Sequence, residues 1–136
     1  MQIKKPNNNQ DSAERRRFAR INKNLAIKIK DKEVDFVTET KNISCLGAYC
    51  QVDAYLPVLT KLKITLLLPR SKNSKTAKHI SCEGTIVRVE RCTDPVENNR
   101  YNIAIYFNQI PKSDMNLIDC YIKNSLSGAN PPTLSL

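Results

Sequence analysis

The run Lys61-Leu62-Lys63-Ile64-Thr65-Leu66-Leu67-Leu68 places a large aliphatic side chain at 62, 64, 66 and 68, and Pro69 follows it. A side-chain period of two marks a strand with one face buried. Proline, with no N–H to donate, ends it. The same alternation recurs on both sides. Upstream, Leu25, Ile27 and Ile29 alternate with Ala26, Lys28 and Lys30. After a tight turn at Asp31-Lys32, Val34, Phe36 and Thr38 alternate with Asp35, Val37 and Glu39. Gly47-Ala48-Tyr49-Cys50-Gln51-Val52 reads as another strand, closed off near Pro57. Downstream, a polar basic connection over 70–78 leads to a β-prone run from Ile80 to Glu90, in which Gly84 marks a bulge or bend. A loop containing Asp94-Pro95 and Asn98-Asn99 follows, and Tyr101, Ile103, Ile105 and Phe107 alternate through a last strand.

The period then changes. Met115, Leu117, Ile118, Tyr121, Ile122 and Leu126 share one face of a helix, with Ser113 as the expected N-cap and Gly128 as the stop. About six short strands and one terminal helix predict an all-β, antiparallel barrel or sandwich with a helix packed on it. The chain has 136 residues, the size of one domain. Residues 1–22 are expected to form a flexible basic arm, 23–126 the β-domain with its C-terminal helix, and 127–136 a disordered tail.

Charge is distributed unevenly. The formal net charge is +9, and residues 1–30 carry nine basic side chains against Asp11 and Glu14, leaving the other 106 residues close to neutral. A near-neutral domain with a basic arm implies an anionic partner. No apolar run approaches the roughly 18–20 residues of a membrane span, and the polar N-terminus has no signal-peptide core. The expected location is therefore the cytoplasm.

Five cysteines, Cys45, Cys50, Cys82, Cys92 and Cys120, are an odd count without a Cys-x-x-Cys pair. They are expected to be reduced thiols, neither a disulfide framework nor a zinc site. His79 is the single histidine, and there is no Walker A loop or GxGxxG turn. No nucleophile–base or metal constellation is present, so neither enzymatic activity nor a cofactor or metal is expected.

Two segments carry more than folding requires. Glu14-Arg15-Arg16-Arg17-Phe18-Ala19-Arg20 is too densely charged for a buried element. Arg16 and Arg20 project together in a helical turn, or space themselves along a groove if extended. A guanidinium fork grips phosphate bidentately, stacks on a base, or reads the O6/N7 edge of guanine. Lysine does only the first, and the cluster has none. The second segment, Lys41-Asn42-Ile43-Ser44-Cys45-Leu46-Gly47, falls where a turn is expected. Asn42 and Ser44 are turn formers and Gly47 is available for a positive φ. The same residues also offer polar groups and an open backbone to a planar ligand edge.

In this order the two segments resemble the signature motifs of the PilZ domain, the bacterial receptor module for cyclic di-GMP. Arg16-Arg17-Phe18-Ala19-Arg20 has the form RxxxR, and Asn42-Ile43-Ser44-Cys45-Leu46-Gly47 the form (D/N)xSxxG. Gly84-Thr85-Ile86-Val87-Arg88 resembles the family's G-x-V-V-R strand and adds Arg88 to the candidate ligand residues. The resemblance implies a six-stranded antiparallel β-barrel with the motif-bearing arm folding over its outer face. It implies that Arg16 and Arg20 take the phosphates and guanine Hoogsteen edges, that Asn42 and Ser44 contact guanine, and that Gly47 keeps the surface open. Arg15, a basic residue just before the motif, implies a stacked pair of cyclic di-GMP molecules. Asn42 departs from the commoner Asp and lacks its charge for the N1–H and N2–H donors of guanine. The difference is about 1 kcal/mol. The expected function is a second-messenger receptor that acts through an effector protein. Two alternatives are a nucleic-acid-binding barrel with a basic arm, disfavoured by scarce aromatic residues, and a PilZ-fold adaptor that binds no ligand.

Overall fold

The computed structural model describes residues 18–70, 76–93 and 99–128. The strands are β1 (Ala26–Lys30), β2 (Asp35–Ser44), β3 (Gly47–Val52), β4 (Lys61–Leu68), β5 (Lys78–Arg91) and β6 (Tyr101–Gln109), followed by helix α1 (Lys112–Gly128). All neighbouring strands are antiparallel, and the order β1-β2-β3-β6-β5-β4 closes when β4 pairs back onto β1. The expected six-stranded barrel with a C-terminal helix is the fold. Arg15, Arg16 and residues 129–136 lie outside the described residues, and the first two residues of the expected tail, 127 and 128, belong instead to α1.

Alternation fixes which side chains fill the barrel. Ile27 and Ile29 of β1, Leu62, Ile64, Leu66 and Leu68 of β4, and Ile103, Ile105 and Phe107 of β6 are all buried. Their intervening neighbours face outward, as the pleat requires. Ile118 and Ile122 of α1 are fully buried in the same core. They seat the helix at the barrel end marked by the β2–β3 turn, where Asp119 lies beside Cys45. The helix begins earlier than its expected cap: the Met115 N–H donates to the Pro111 carbonyl at 3.0 Å. Pro111 therefore occupies the capping position and Ser113 sits in the first turn. Proline's fixed φ and missing N–H suit the start of a helix.

Three β-bulges interrupt the registers. One lies between Thr40 and Asn42 in β2, one between Ile86 and Arg88 in β5, and one opposite Glu83/Gly84, where the extra residue is Asn108 of β6. Gly84 itself stays in the inward row of β5, so the bulge expected there falls on the partner strand β6 instead. A bulge inserts one residue and flips which face later side chains occupy. The bulges in β2 and β5 matter for the outer surface.

Candidate functional site

Phe36, Thr38 and Thr40 of β2 point inward in strict alternation, which on its own would turn Asn42 inward too. The bulge after Thr40 reverses this: Lys41 and Asn42 both reach the outer face, and Ile43 becomes the next fully buried residue. The bulge in β5 does the same. Ile86 is fully buried, Val87 and Arg88 both face out, and Val89 resumes the inward row. Across the sheet, Asn42 pairs with Tyr49, Tyr49 with Ala104, and Ala104 with Arg88. This row forms the floor of an open cleft of about 770 Å³ lined by Arg20, Asn22, Asn24, Lys41, Asn42, Tyr49, Arg88 and Ala104.

Arg20 reaches the cleft because the chain before β1 is stapled to β2. Ile21 and Ile43 exchange N–H···O=C bonds of 3.0 and 2.9 Å. Phe18 and Ala19 pack against the core, so the last part of the expected arm lies on the barrel. Thr40, fully buried, donates its hydroxyl to the Lys23 carbonyl (2.6 Å) and accepts the Leu25 N–H (2.9 Å). Asn24 Nδ2 donates to the Thr40 carbonyl at 2.8 Å. With its backbone fixed this way, Arg20 donates from Nη1 to Asn42 Oδ1, and Asn42 Nδ2 donates to Asn22 Oδ1 at 2.8 Å. One residue from each motif is thus in direct contact.

Ser44 and Gly47 are placed differently. The expected loop is a two-residue turn, Cys45-Leu46, between paired Ser44 and Gly47. Ser44 is 2% exposed, and its Oγ accepts the Leu46 N–H at 3.1 Å. The Leu46 carbonyl accepts the Phe107 N–H at 2.9 Å, which ties the turn to β6. Gly47 does not adopt the positive φ expected of it. Its reason is steric: a Cβ there would stand 2.2 Å from the Ile105 carbonyl oxygen. Neither residue lines the cleft. Cys45 is buried inside the turn, and burial, with the Asp119 charge behind it, pushes its thiol up to about 11.

Sequence reasoning missed Asn22, Asn24, Lys41, Tyr49 and Ala104. The available signal was alternation in β3, which puts Tyr49 on the face opposite Ala48 and Cys50. On the far wall, Tyr49 donates its hydroxyl to Glu90 Oε1 at 3.2 Å, and Arg88 Nε lies 3.8 Å from Glu90 Oε2. The Arg88 guanidinium carbon stands 5.7 Å from the centre of the Tyr49 ring, a cation–π distance. Partial burial, then the bond to Glu90, raises the Tyr49 phenol above its ordinary pKa. The lining residues thus bring three cations together with an aromatic face and amide groups. That combination suits a ligand carrying both phosphates and flat bases.

The PilZ domain family model matches residues 14–124. The inhibitor of motility MotI/DgrA from Bacillus subtilis superposes with a TM-score of 0.69 at 19% identity, over 81% of this chain and 51% of that one. MrkH from K. pneumoniae superposes with a TM-score of 0.68 at 16% identity, over 85% of this chain and 51% of that one. At these identities the likeness speaks for the fold, and the matched region spans about half the length of either structure. A search of curated proteins finds no significant match.

Proposed function

The chain belongs to the PilZ domain family, and from that premise we propose that it is a non-enzymatic cytoplasmic receptor for cyclic di-GMP. The observation that carries the reading is the meeting of both motifs at one cleft, where Arg20 holds Asn42 beside Arg88. Arg20, with Arg16 and Arg15 from the arm, takes the phosphates and the O6/N7 edges of guanine. A guanidinium has five donors, so Arg20 keeps Asn42 while gripping the ligand. Asn42 and Arg88 face the bases. Ser44 and Gly47 serve by holding the β2–β3 turn that carries Asn42, since both are buried away from the cleft.

The part of the arm before Phe18 closes on a stacked pair of ligand molecules, continuing from residues 18–22, which already lie on the barrel. Closure neutralises part of the basic cluster and changes the shape of one outer face. An effector protein reads that change. Equilibrium dialysis of labelled cyclic di-GMP against the full chain tests this, with single-stranded DNA as competitor. The expected result is saturable binding that excess oligonucleotide does not displace and that Arg20→Ala abolishes. Displacement by the oligonucleotide with a steep salt dependence would instead favour a nucleic-acid binder.

A further inference from the structure

Glu90 stands at the edge of the cleft with its carboxylate fixed by two neighbours. Oε1 accepts the Tyr49 hydroxyl at 3.2 Å and Oε2 lies 3.8 Å from Arg88 Nε. The residues lining the cleft include Arg20, Lys41 and Arg88 but no acid, and the Glu90 carboxylate touches two of the lining residues, Tyr49 and Arg88. Asn42, the motif residue expected to meet the guanine N–H donors, already has its amide engaged: Oδ1 by Arg20 and Nδ2 by Asn22.

Guanine presents two donors, N1–H and N2–H, beside the O6 acceptor. Two carboxylate oxygens match the donors, and a guanidinium matches O6. The β5 bulge puts Arg88 on the outer face, with Glu90 two residues further along the same face. An acceptor pair and a donor fork therefore stand side by side. Adenine presents an unprotonated N1 at the corresponding edge, which a carboxylate repels.

We propose that Glu90 is a specificity-determining residue of this cleft: its carboxylate accepts N1–H and N2–H of a guanine whose O6 is held by Arg88, supplying from β5 the charge that Asn42 lacks. The inference rests on the cleft being the dinucleotide site. An ionised carboxylate has about four lone-pair positions, so Glu90 keeps Tyr49 while it accepts from the base.

The test is calorimetric titration of the full chain and of Glu90→Gln with three ligands: cyclic di-GMP, its inosine analogue lacking the N2 amine, and cyclic di-AMP. The side chains of Arg88 and Glu90 are 61% and 53% exposed, so the variant is expected to fold and melt like the parent. Glu90→Gln should lose roughly tenfold in affinity for cyclic di-GMP, a loss of about 1.4 kcal/mol. It should lose less for the inosine analogue and tolerate cyclic di-AMP better than the parent does. Equal weakening for all three ligands would overturn the proposal, because Glu90 would then only position Arg88. Unchanged affinity for cyclic di-GMP would overturn it too. If the parent chain gives no heat with cyclic di-GMP, the assignment of the cleft fails first and this inference falls with it.

Discussion

Replacing Gly47 by alanine should damage the fold before it touches any ligand. The added Cβ would stand 2.2 Å from the Ile105 carbonyl oxygen, 3.3 Å from its carbonyl carbon and 3.4 Å from the Tyr106 Cα. All three are backbone atoms of the paired strand, so no side-chain rotation relieves the contact. β3 must move away from β6 by about an ångström. The nearest casualty is the Phe107 N–H bond to the Leu46 carbonyl, 2.9 Å long, joining the residue just before Gly47 to the residue just after Tyr106. Losing it costs about 1 kcal/mol, and overpacking adds about 1–3 kcal/mol. The sum, about 2–4 kcal/mol, corresponds to a melting temperature lower by about 7–14 °C for a chain of this size. Gly84→Ala is the internal comparison. There a Cβ meets the Ile105 Cγ2 at 2.6 Å and the Ile64 Cγ1 at 3.3 Å. The tightest contact is with a side-chain atom, which can shift, and the one backbone atom nearby, the Tyr106 carbonyl oxygen, is 3.3 Å away, so the loss should be smaller. Thermal and urea unfolding of the two variants decide the matter. A Gly47→Ala protein as stable as its parent, or one more stable than Gly84→Ala, would refute the reasoning.

Other outcomes follow from the same geometry. Asn42→Asp adds a charge facing Arg20 and the guanine donors, and should tighten cyclic di-GMP binding by about 1 kcal/mol, roughly fivefold in Kd by titration. Burial pushes the thiols of Cys45 and Cys82 from 9.0 up to about 11 and that of Cys50 up to about 12. A thiol whose pKa rises on folding favours the folded state below its unfolded pKa and loses that contribution as pH rises through the folded value. Stability measured by denaturant titration should therefore hold to about pH 9 and decline from there toward pH 12. At pH 8 the exposed Cys120 should alkylate first, with Cys45, Cys50 and Cys92 labelled only in denaturant, as mass spectrometry would read.

The barrel was legible because its strands obey a period of two over stretches such as Leu62 to Leu68, and because α1 breaks that period. The start of α1 was less so. Ser113 is a good capping residue, yet the Pro111 carbonyl accepts the first helical bond. For the cleft, the motifs named Arg20, Asn42 and Arg88, but the orientation of the last two depends on bulges. A single inserted residue leaves the hydrophobic pattern almost unchanged while reversing the faces. The Tyr49–Glu90 bond was invisible for another reason. It joins residues 41 apart, and only the β3–β6–β5 register brings them together. Gly47 was expected to supply a positive φ or keep the surface open, and it does not adopt a positive φ; what excludes a side chain there is a close backbone approach. The cause lies in Ile105, on a strand far along the chain.

Whether the cleft and its arm bind cyclic di-GMP decides the proposed function. Its most direct test is calorimetric titration of the full chain with cyclic di-GMP at tens of micromolar protein. Saturable heat with two ligand molecules per chain is expected; no heat at that concentration would mean that the cleft is not a cyclic di-GMP site.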